Sequence, residues 1–281
     1  CGSSGGEGSG YRGGNDDPAR LAANAGESFQ GSIVLGMGFT FDDTDSKAVA
    51  SPLAEMRRLI EKDPRNADVI FPYIGGEEVN ASPTHAPHRY VINFGERSEA
   101  ECRQRWPDLM AIVEAKVKPE RMAQNDRGAR ENWWQYIRPR PELYSAIKHL
   151  RSSLAISRVN PHVAFALLSA RMVHAESLVV FTYANMSAFC VLQSRVHEIW
   201  ARFFSSTALE LMRYGPSDCF QTFAFPERWK TTGVLETVGE SYYEFRAGLM
   251  VTNDEGLTMT YNRFHDPDER DPEIVRLRHL H

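Results

Sequence analysis

The stretch from residue 153 to residue 183 reads SLAISRVNPHVAFALLSARMVHAESLVVFTY. Three of its segments, Ser153–Val159, Val163–Leu168 and Leu178–Tyr183, alternate or run apolar with β-branched and aromatic residues. Such runs are typical of β-strands joined by short loops, and continuous apolar runs are typical of strands buried on both faces. We therefore predict three strands in a mixed sheet with flanking helices, which is an α/β fold.

The residues before this stretch add further elements to the prediction. Strands are predicted at 32–41, 69–71 and 89–94, and helices at 46–62, 98–105 and 107–118. Residues 72–80 contain a proline and two glycines, so we predict a loop there. The Gly36-Met37-Gly38 break in the first strand lacks a third glycine and a following helix start, so it does not predict a nucleotide-binding loop.

Beyond residue 183, one amphipathic helix is predicted from Phe189 to Phe204. Its predicted buried stripe is Leu192, Val196, Ile199, Trp200 and Phe203, and its polar face, predicted to turn outward or toward a cleft, is Gln193, Ser194, His197 and Glu198. His197 has no Cys or His partner at ligand spacing, which favours a satisfied or solvated histidine over a metal ligand. Residues 209–214 are predicted as one more strand.

The composition is that of an ordinary globular protein. Of 281 residues, 42% are hydrophobic and 25% are charged. No apolar run reaches the roughly 18 residues of a membrane span, and no signal-peptide pattern opens the chain. The four cysteines, Cys1, Cys102, Cys190 and Cys219, show neither a CxxC pair nor metal-ligand spacing. These features predict reduced thiols and a cytoplasmic location.

Changes of composition define three predicted regions. Residues 1–15 begin with cysteine and are dominated by glycine and serine, so we expect residues 1–28 to be a flexible linker and the chain to be a piece of a longer protein. Residues 29–227 are predicted to form the α/β domain. After Pro226 the sequence is polar and helical, at about 238–251 and 271–280, so residues 228–281 are predicted to form a small, separate α-helical C-terminal domain.

Positive charge is concentrated between Lys116 and Arg158. This segment holds ten Lys or Arg against four Asp or Glu, a net charge of +6 in a chain of net charge −5. Such a segment in a mildly acidic chain indicates a surface that meets a polyanion. The candidates for phosphate contacts are Lys116, Lys118, Arg121, Arg127, Arg130, Arg138 and Arg140.

Aromatic side chains are interleaved with these cations. Trp133, Trp134 and Tyr136 are candidates for stacking on bases or sugars. The alternative is that the tryptophan pair packs in the core or at a domain interface, which is the commoner use of such pairs. Both interpretations stay open at this point.

A pattern near this segment resembles a nuclease site without meeting its requirements. Pro107-Asp108 followed by Glu114-Ala115-Lys116 is similar to the PD…ExK motif, in which two carboxylates hold a divalent metal ion. That chemistry needs the carboxylates on adjacent strands. Here the intervening residues are typical of one packed helix, so no metal site is predicted.

Several motifs, taken in their order and spacing, resemble one protein family. They are FPYIGGEEVN at 71–80, the strand at 89–94, VKPER at 117–121, the tryptophan pair at 133–134, LQS…H…W at 192–200 and FQTFAFP at 220–226. This order is similar to the C-terminal portion of MmeI-like proteins, the type IIL restriction–modification enzymes that methylate adenine N6. The resemblance covers about residue 22 to the end. The family form has proline where this chain has Ala224, a small departure.

The resemblance implies a DNA target-recognition domain followed by the family's helical C-terminal domain. The family's catalytic Asn/Asp-Pro-Pro-aromatic loop and its glycine-rich S-adenosylmethionine loop do not occur in the sequence, since Asn160-Pro161-His162 lacks the second proline and the aromatic. We therefore expect no catalytic residue, metal or cofactor in this chain. The methyltransferase core is expected upstream in the same polypeptide, connected through residues 29–130, with S-adenosylmethionine as the cofactor of the parent enzyme.

The expected partner is double-stranded DNA. A target-recognition domain presents a few side chains to base edges in the major groove, typically Arg to guanine and Asn or Gln to adenine, whereas phosphate contacts carry no sequence information. The base-reading candidates stand in turns after predicted strands or at strand ends: Arg158, Asn160, Asn185, Arg213, Tyr214 and Ser217.

A second class of function stays open. The chain is alternatively a protein-interaction or scaffold fragment of a phage-defence complex, in which the basic segment contacts an acidic partner. Selecting bound fragments from a random DNA pool discriminates the two. The sequence does not give the target bases, the oligomeric state, or whether the parent enzyme, expected to be an adenine-specific DNA methyltransferase, also cuts DNA.

Overall fold

The computed structural model describes residues 23–208 and 211–281. Most of the predicted linker, residues 1–22, lies outside the described residues. The strands are β1 (Ser28–Gln30), β2 (Thr40–Phe41), β3 (Ile70–Ile74), β4 (Arg89–Ile92), β5 (Ser152–Ser157), β6 (Val159–Asn160), β7 (Phe165–Ser169), β8 (Val173–His174), β9 (Leu178–Phe181), β10 (Ser206–Ala208) and β11 (Leu211–Arg213).

Twelve α-helices are formed by the described residues. They are α1 (Leu53–Lys62), α2 (Gly76–Ala81), α3 (Glu99–Arg105), α4 (Pro107–Lys116), α5 (Lys118–Met122), α6 (Arg127–Glu131), α7 (Pro141–Ile147), α8 (Met186–Gln193), α9 (Arg195–Phe204), α10 (Gly233–Asn253), α11 (Leu257–His265) and α12 (Pro272–Leu280). This is the mixed α/β fold with C-terminal helices that the sequence predicts.

The central sheet contains the three strands predicted between residues 153 and 183. Its order is β1-β9-β5-β7, and all of its pairings are antiparallel. Leu154, Ala155 and Ile156 of β5 are all fully buried, as are the four residues of β9. The predicted strand 153–159 is divided at Arg158 into β5 and β6, and β6 joins a different sheet.

A second sheet has the order β2-β4-β3-β8; its first three strands precede the basic segment in sequence and β8 follows it. Here the predicted loop 72–80 is wrong, because β3 continues through Pro72 to Ile74 and α2 follows at once. Pro72 faces Tyr90 of β4, and β8 pairs in parallel with the last residues of β3. The Glu78 carboxylate accepts a hydrogen bond from the Gly75 amide at 2.9 Å, which fixes the start of α2.

Helix starts follow local capping chemistry. The Ser98 hydroxyl accepts a hydrogen bond from the Glu101 amide at 3.2 Å, so α3 begins where the sequence predicts. The predicted helix 46–62 begins only at Leu53, because the Asp45 carboxylate binds the amides of Lys47, Val49 and Ala50 in a turn.

The single helix predicted at 189–204 is wrong in both continuity and orientation. Ser194 ends α8, and its hydroxyl accepts from the amide of His197 at 3.3 Å to begin α9. Val196, Ile199 and Phe203 are 70%, 59% and 80% exposed, whereas the predicted outward residues Gln193, His197 and Glu198 are buried.

Polar partners explain the inverted orientation of α9. The His197 Nε2 atom lies 2.9 Å from the Tyr214 hydroxyl, and the Glu198 carboxylate accepts hydrogen bonds from the guanidinium groups of Arg195 and Arg202. A buried polar group needs such partners. The position of Tyr214, far along the chain, therefore decides which face of α9 turns inward.

The third sheet is small and has the order β10-β11-β6. Both pairings are antiparallel, and Arg213 of β11 faces both Ser206 of β10 and Val159 of β6. This sheet joins the residue after β5 to the residues after α9, which lie about fifty positions apart in sequence.

The helices after residue 227 pack into the same cores as the sheets. Tyr242, Leu249 and Ile274 share a hydrophobic cluster with Phe165 and Phe181 of the central sheet. A Cβ atom at Gly239 would lie 2.3 Å from the Met186 carbonyl oxygen, so only glycine allows α10 to approach α8 this closely. The helices are therefore not the separate appendage that the sequence suggests, while the domain boundary at 227 stays a prediction.

A buried arginine reinforces this packing. Arg246 of α10 is 1% exposed, and its guanidinium donates to the Phe165 carbonyl at 2.6 Å and to the Tyr261 hydroxyl at 3.0 Å.

Across residues 23–208 and 211–281, no helix combines the length and apolar composition that a membrane crossing requires.

Candidate nucleic-acid interface

Three arginines from distant segments meet on one surface. Arg140 precedes α7, Arg158 connects β5 to β6, and Arg213 ends β11. Because Arg213 pairs with Val159 and the Tyr214 amide donates to the Arg158 carbonyl at 2.8 Å, the second and third arginines are neighbours. We call Arg140, Arg158 and Arg213 the arginine cluster.

The electrostatics of the cluster reflect this proximity. Burial lowers the pKa of Arg158, and the positive charge of Arg213 lowers this pKa further. The carboxylate of Glu176 raises the pKa in part, and Arg140 has the smallest effect, which lowers it. The Arg158 guanidinium donates to the Glu176 carbonyl at 3.1 Å. Within the described residues, neither Arg158 nor Arg213 forms a salt bridge with a carboxylate, and Arg140 has only a 3.8 Å contact to Glu142. The cluster is thus a site that an anion would stabilise.

The ribbon formed by β10 and β11, which β6 extends to a three-stranded sheet, carries one edge of the cluster outward. Leu211 and Arg213 are exposed, while Met212 between them is 2% exposed and anchors the ribbon to the core. Ser206, opposite Arg213, is also exposed. Ser206 and Leu211 were missed by sequence reasoning, because only the alternation of β11 in the folded sheet shows which side chains face outward.

Two base-reading candidates are buried and engaged within the protein. Asn160 is 1% exposed; its Nδ2 donates to the Asn80 side chain at 2.7 Å and its Oδ1 accepts from the His162 amide. Tyr214 is fully buried against His197. In this conformation neither side chain presents a polar group to a partner, and both hold the scaffold beneath the arginine cluster.

The remaining two base-reading candidates, Asn185 and Ser217, are at least partly exposed. Asn185 is half-buried at the start of α8 and makes no side-chain capping bond there. Ser217 is exposed, and its hydroxyl donates to the Asp218 carboxylate at 3.1 Å. The structure places only Arg158 and Arg213 of the base-reading candidates in the arginine cluster.

The first three cations of the basic segment serve the fold. The Lys116 ammonium donates to the carbonyls of Val49 and Ala50, and Lys118 is paired with Glu114 at 2.7 Å. Arg121 is 0% exposed, donates to the Val34 carbonyl at 2.8 Å, and has its pKa lowered by burial.

The next phosphate candidates differ in exposure. Arg127 has an 82% exposed side chain paired with Glu131 at 2.7 Å. Arg130 is half-buried and donates to the Gln124 carbonyl at 2.6 Å. Arg138 is exposed, lies two residues before Arg140 in the chain, and pairs through its main chain with Ile33.

The aromatic candidates are part of the upstream core. Trp133, Trp134 and Tyr136 are 4%, 9% and 6% exposed. The Trp134 indole donates to the Arg97 carbonyl at 2.9 Å, and the Tyr136 hydroxyl donates to the Ile92 carbonyl at 2.8 Å. In this conformation they cannot stack on bases, and the structure supports the alternative that they pack internally.

The described residues hold no group of three or more His, Cys, Asp or Glu side chains that could bind a metal ion. Asp108 and Glu114 both lie on α4, where they pair with Lys62 and Arg103. The two carboxylates of the nuclease-like pattern therefore form salt bridges on the surface of one helix.

The fold and the arginine cluster define a mixed α/β module with a small cationic surface and a helical C-terminal part. The chain belongs to the MmeI target recognition domain family, whose family model matches residues 30–227. No curated protein matches the chain.

One similar solved structure is described as the type IIL restriction-modification enzyme MmeI in complex with DNA, with implications for engineering new specificities. The TM-score is 0.64 and the sequence identity 17%, over 90% of this chain and 31% of that chain. At this identity the likeness concerns the fold. This chain therefore corresponds in fold to less than one third of the length of that enzyme.

Proposed function

We propose that this chain is the sequence-specific double-stranded DNA recognition part of an adenine-N6 DNA methyltransferase of a restriction–modification or related phage-defence system. The observation that carries the proposal is the arginine cluster, because strand pairing places Arg158 beside Arg213, Arg140 lies near enough for its charge to act on Arg158, and neither Arg158 nor Arg213 forms a salt bridge with a carboxylate of the described residues. The family description and the DNA in the MmeI structure support the choice of DNA as the anion.

The geometry suggests which side chains contact bases and which contact phosphates. A two-stranded ribbon fits the major groove of B-DNA, and Arg is the commonest side chain to bind guanine there. We assign base contact to Arg213, which is exposed at the end of β11. Arg140 of the cluster and Arg138, two residues before it, precede α7 and suit phosphates, which position the duplex without reading it.

The chemistry belongs to the part of the enzyme that this chain does not match. We propose that an upstream domain of the same polypeptide binds S-adenosylmethionine and transfers its methyl group, and that the role of this chain is to select the site. The sequence lacks the Asn/Asp-Pro-Pro-aromatic loop for holding an adenine amino group, which supports this division. We propose a cytoplasmic location, where the host's DNA lies.

Selection from a random duplex pool tests the proposal. The 281-residue chain is expected to retain a subset of sequences, identified by sequencing the bound fraction. Arg213→Ala should lose that preference, whereas Arg57→Ala, a control that removes an exposed arginine of α1, should keep it. If the bound pool is as random as the input, the chain does not read DNA, and the scaffold function with an acidic partner takes precedence.

A further inference from the structure

A cavity of about 500 Å³ opens between the second sheet and the start of α7. Phe71 of β3 and Tyr144 of α7 supply two aromatic walls, and Pro139 and Pro141 supply a third. The volume lies in the range of roughly 300–1,000 Å³ that is usual for small-molecule sites. None of the roles assigned above uses this cavity.

The walls of the cavity are held rigidly. The Tyr144 hydroxyl lies 2.9 Å from the Ser32 hydroxyl and accepts from the His174 amide at 3.2 Å, and its ring stacks on the ring of His174. Arg140, between the two prolines, has the left-handed backbone angles φ 58° and ψ 52°. A residue before proline adopts them only when its surroundings enforce them. A preformed cavity of this kind loses little entropy when a ligand enters.

Three polar side chains line the same cavity. The Asn93 Oδ1 atom accepts from the Gly95 amide at 2.9 Å, which orients the side-chain amide and leaves its Nδ2 donor without a protein partner among the described residues. Glu96 and Arg171 are exposed and form no salt bridge within residues 23–208 and 211–281. The cavity therefore combines apolar walls with a neutral donor, a carboxylate acceptor and a cation.

The cavity also adjoins the arginine cluster. Pro139 and Pro141 line it, while the guanidinium of Arg140 between them is close enough to influence the pKa of Arg158. One rigid tripeptide thus separates the cavity from the proposed DNA surface. A ligand that contacts both the aromatic walls of the cavity and the arginine cluster would carry a planar ring for the first and a negative charge for the second.

We infer that this cavity binds a nucleotide. The base lies against Phe71 and Tyr144, its edge meets Asn93 and Glu96, and its phosphate meets Arg171. The choice of a nucleotide rests on the proposed function, because the adjoining surface is the proposed DNA contact. The nucleotide comes either from a bound duplex, as an extruded residue, or from solution, as a free mononucleotide.

The test uses the 281-residue chain and two probes. Saturation-transfer NMR measures binding of dAMP, dGMP, dCMP and TMP, and fluorescence of 2-aminopurine, placed in turn at each position of a selected duplex, reports extrusion. Ala170→Trp fills the cavity from its lining and should abolish the signal of whichever source is correct. Arg171→Ala should weaken binding roughly tenfold, as expected for a lost charge-assisted hydrogen bond. Arg151→Ala, which removes an exposed arginine outside the lining, should change neither signal.

The outcomes separate this inference from the proposed function. Duplex affinity is measured in parallel. If Ala170→Trp loses the 2-aminopurine signal, the cavity holds an extruded nucleotide of the duplex. If Ala170→Trp loses mononucleotide binding, the cavity holds a free nucleotide. Mononucleotide binding by a chain that binds no duplex would refute the DNA function and leave the cavity assignment intact. The inference is overturned if no mononucleotide binds and the duplex signals are the same in wild type, Ala170→Trp and Glu96→Gln, a variant of unchanged volume.

Discussion

Positive charge has two different uses at the two ends of the basic segment, whose last part supplies Arg140 and Arg158 to the arginine cluster. At its start, Lys118 is neutralised by Glu114 and Arg121 is buried among carbonyls, although the whole segment carries a net charge of +6. In the cluster, Arg158 and Arg213 come from distant segments and form no carboxylate pair among the described residues. The neighbours of a cation, and not its density along the chain, decide whether it attracts an anion.

The largest expected effect concerns the buried member of the segment. Arg121→Ala should lower the free energy of unfolding by about 3 kcal/mol, because it leaves a cavity beside Phe39 and an unsatisfied Val34 carbonyl. Urea unfolding measures the loss. Arg121→Met preserves volume and should lose less. If Arg121→Ala is as stable as wild type but binds DNA more weakly, the segment acts at the interface after all.

The scaffold under the cluster should respond to acid. Burial lowers the pKa of His197 to about 3, below the usual value near 6.5, so the folded state binds fewer protons than the unfolded state. Its contribution is complete above pH 6.5 and is lost as pH falls, by about 2 kcal/mol between pH 7 and pH 5. The difference between wild type and His197→Gln in unfolding at these two pH values isolates this contribution. Equal pH dependence of the two proteins would contradict it.

The exposed end of the cluster should affect specificity. Arg213→Ala is expected to cost roughly 1–3 kcal/mol on the preferred duplex and much less on a scrambled one, since only a base contact depends on sequence. Fluorescence anisotropy with both duplexes measures the contrast. Equal losses on the two duplexes would make Arg213 a phosphate contact.

The smallest effect sharpens the comparison through salt. Arg138→Ala should reduce the slope of log affinity against log salt concentration by about one unit, because each phosphate contact releases counterions. Lys118→Ala should leave the slope unchanged, since Glu114 already neutralises that ammonium. Reversing Arg127 and Arg130 to Glu, two cations of the segment with partial internal partners, should weaken binding to every duplex alike. A larger slope change for Lys118→Ala than for Arg138→Ala would contradict the assignment of the phosphate contact to Arg138.

The sequence predicts the elements whose determinants are local. The strands β5, β7 and β9 follow from their apolar runs, and α3 follows from the Ser98 cap. The order and spacing of six motifs between residues 71 and 226 predict the family, which the match over residues 30–227 confirms. The apolar runs, the helix cap and the motifs are properties of short chain segments, and they do not depend on the tertiary contacts of those segments.

The features that the sequence does not predict depend on distant partners. The helical period of α9 is clear, yet its buried face is set by Tyr214, and the β3–α2 junction is set by Glu78 and Ser177. The arginine cluster follows from strand pairing between β6 and β11, which no local pattern specifies. The same dependence explains why Asn160 and Tyr214, predicted from their positions at strand ends to contact bases, are buried in this conformation.

The close approach of α10 to α8 at Gly239 bears on how this module evolves and can be exchanged. Because Tyr242 and Leu249 complete the hydrophobic cluster around Phe165, a chain that ended near residue 227 would expose that cluster to water. The recognition sheets and the C-terminal helices should therefore unfold in one cooperative transition. Transfer of this recognition surface to another protein would therefore require the sheets and the C-terminal helices to be transferred together.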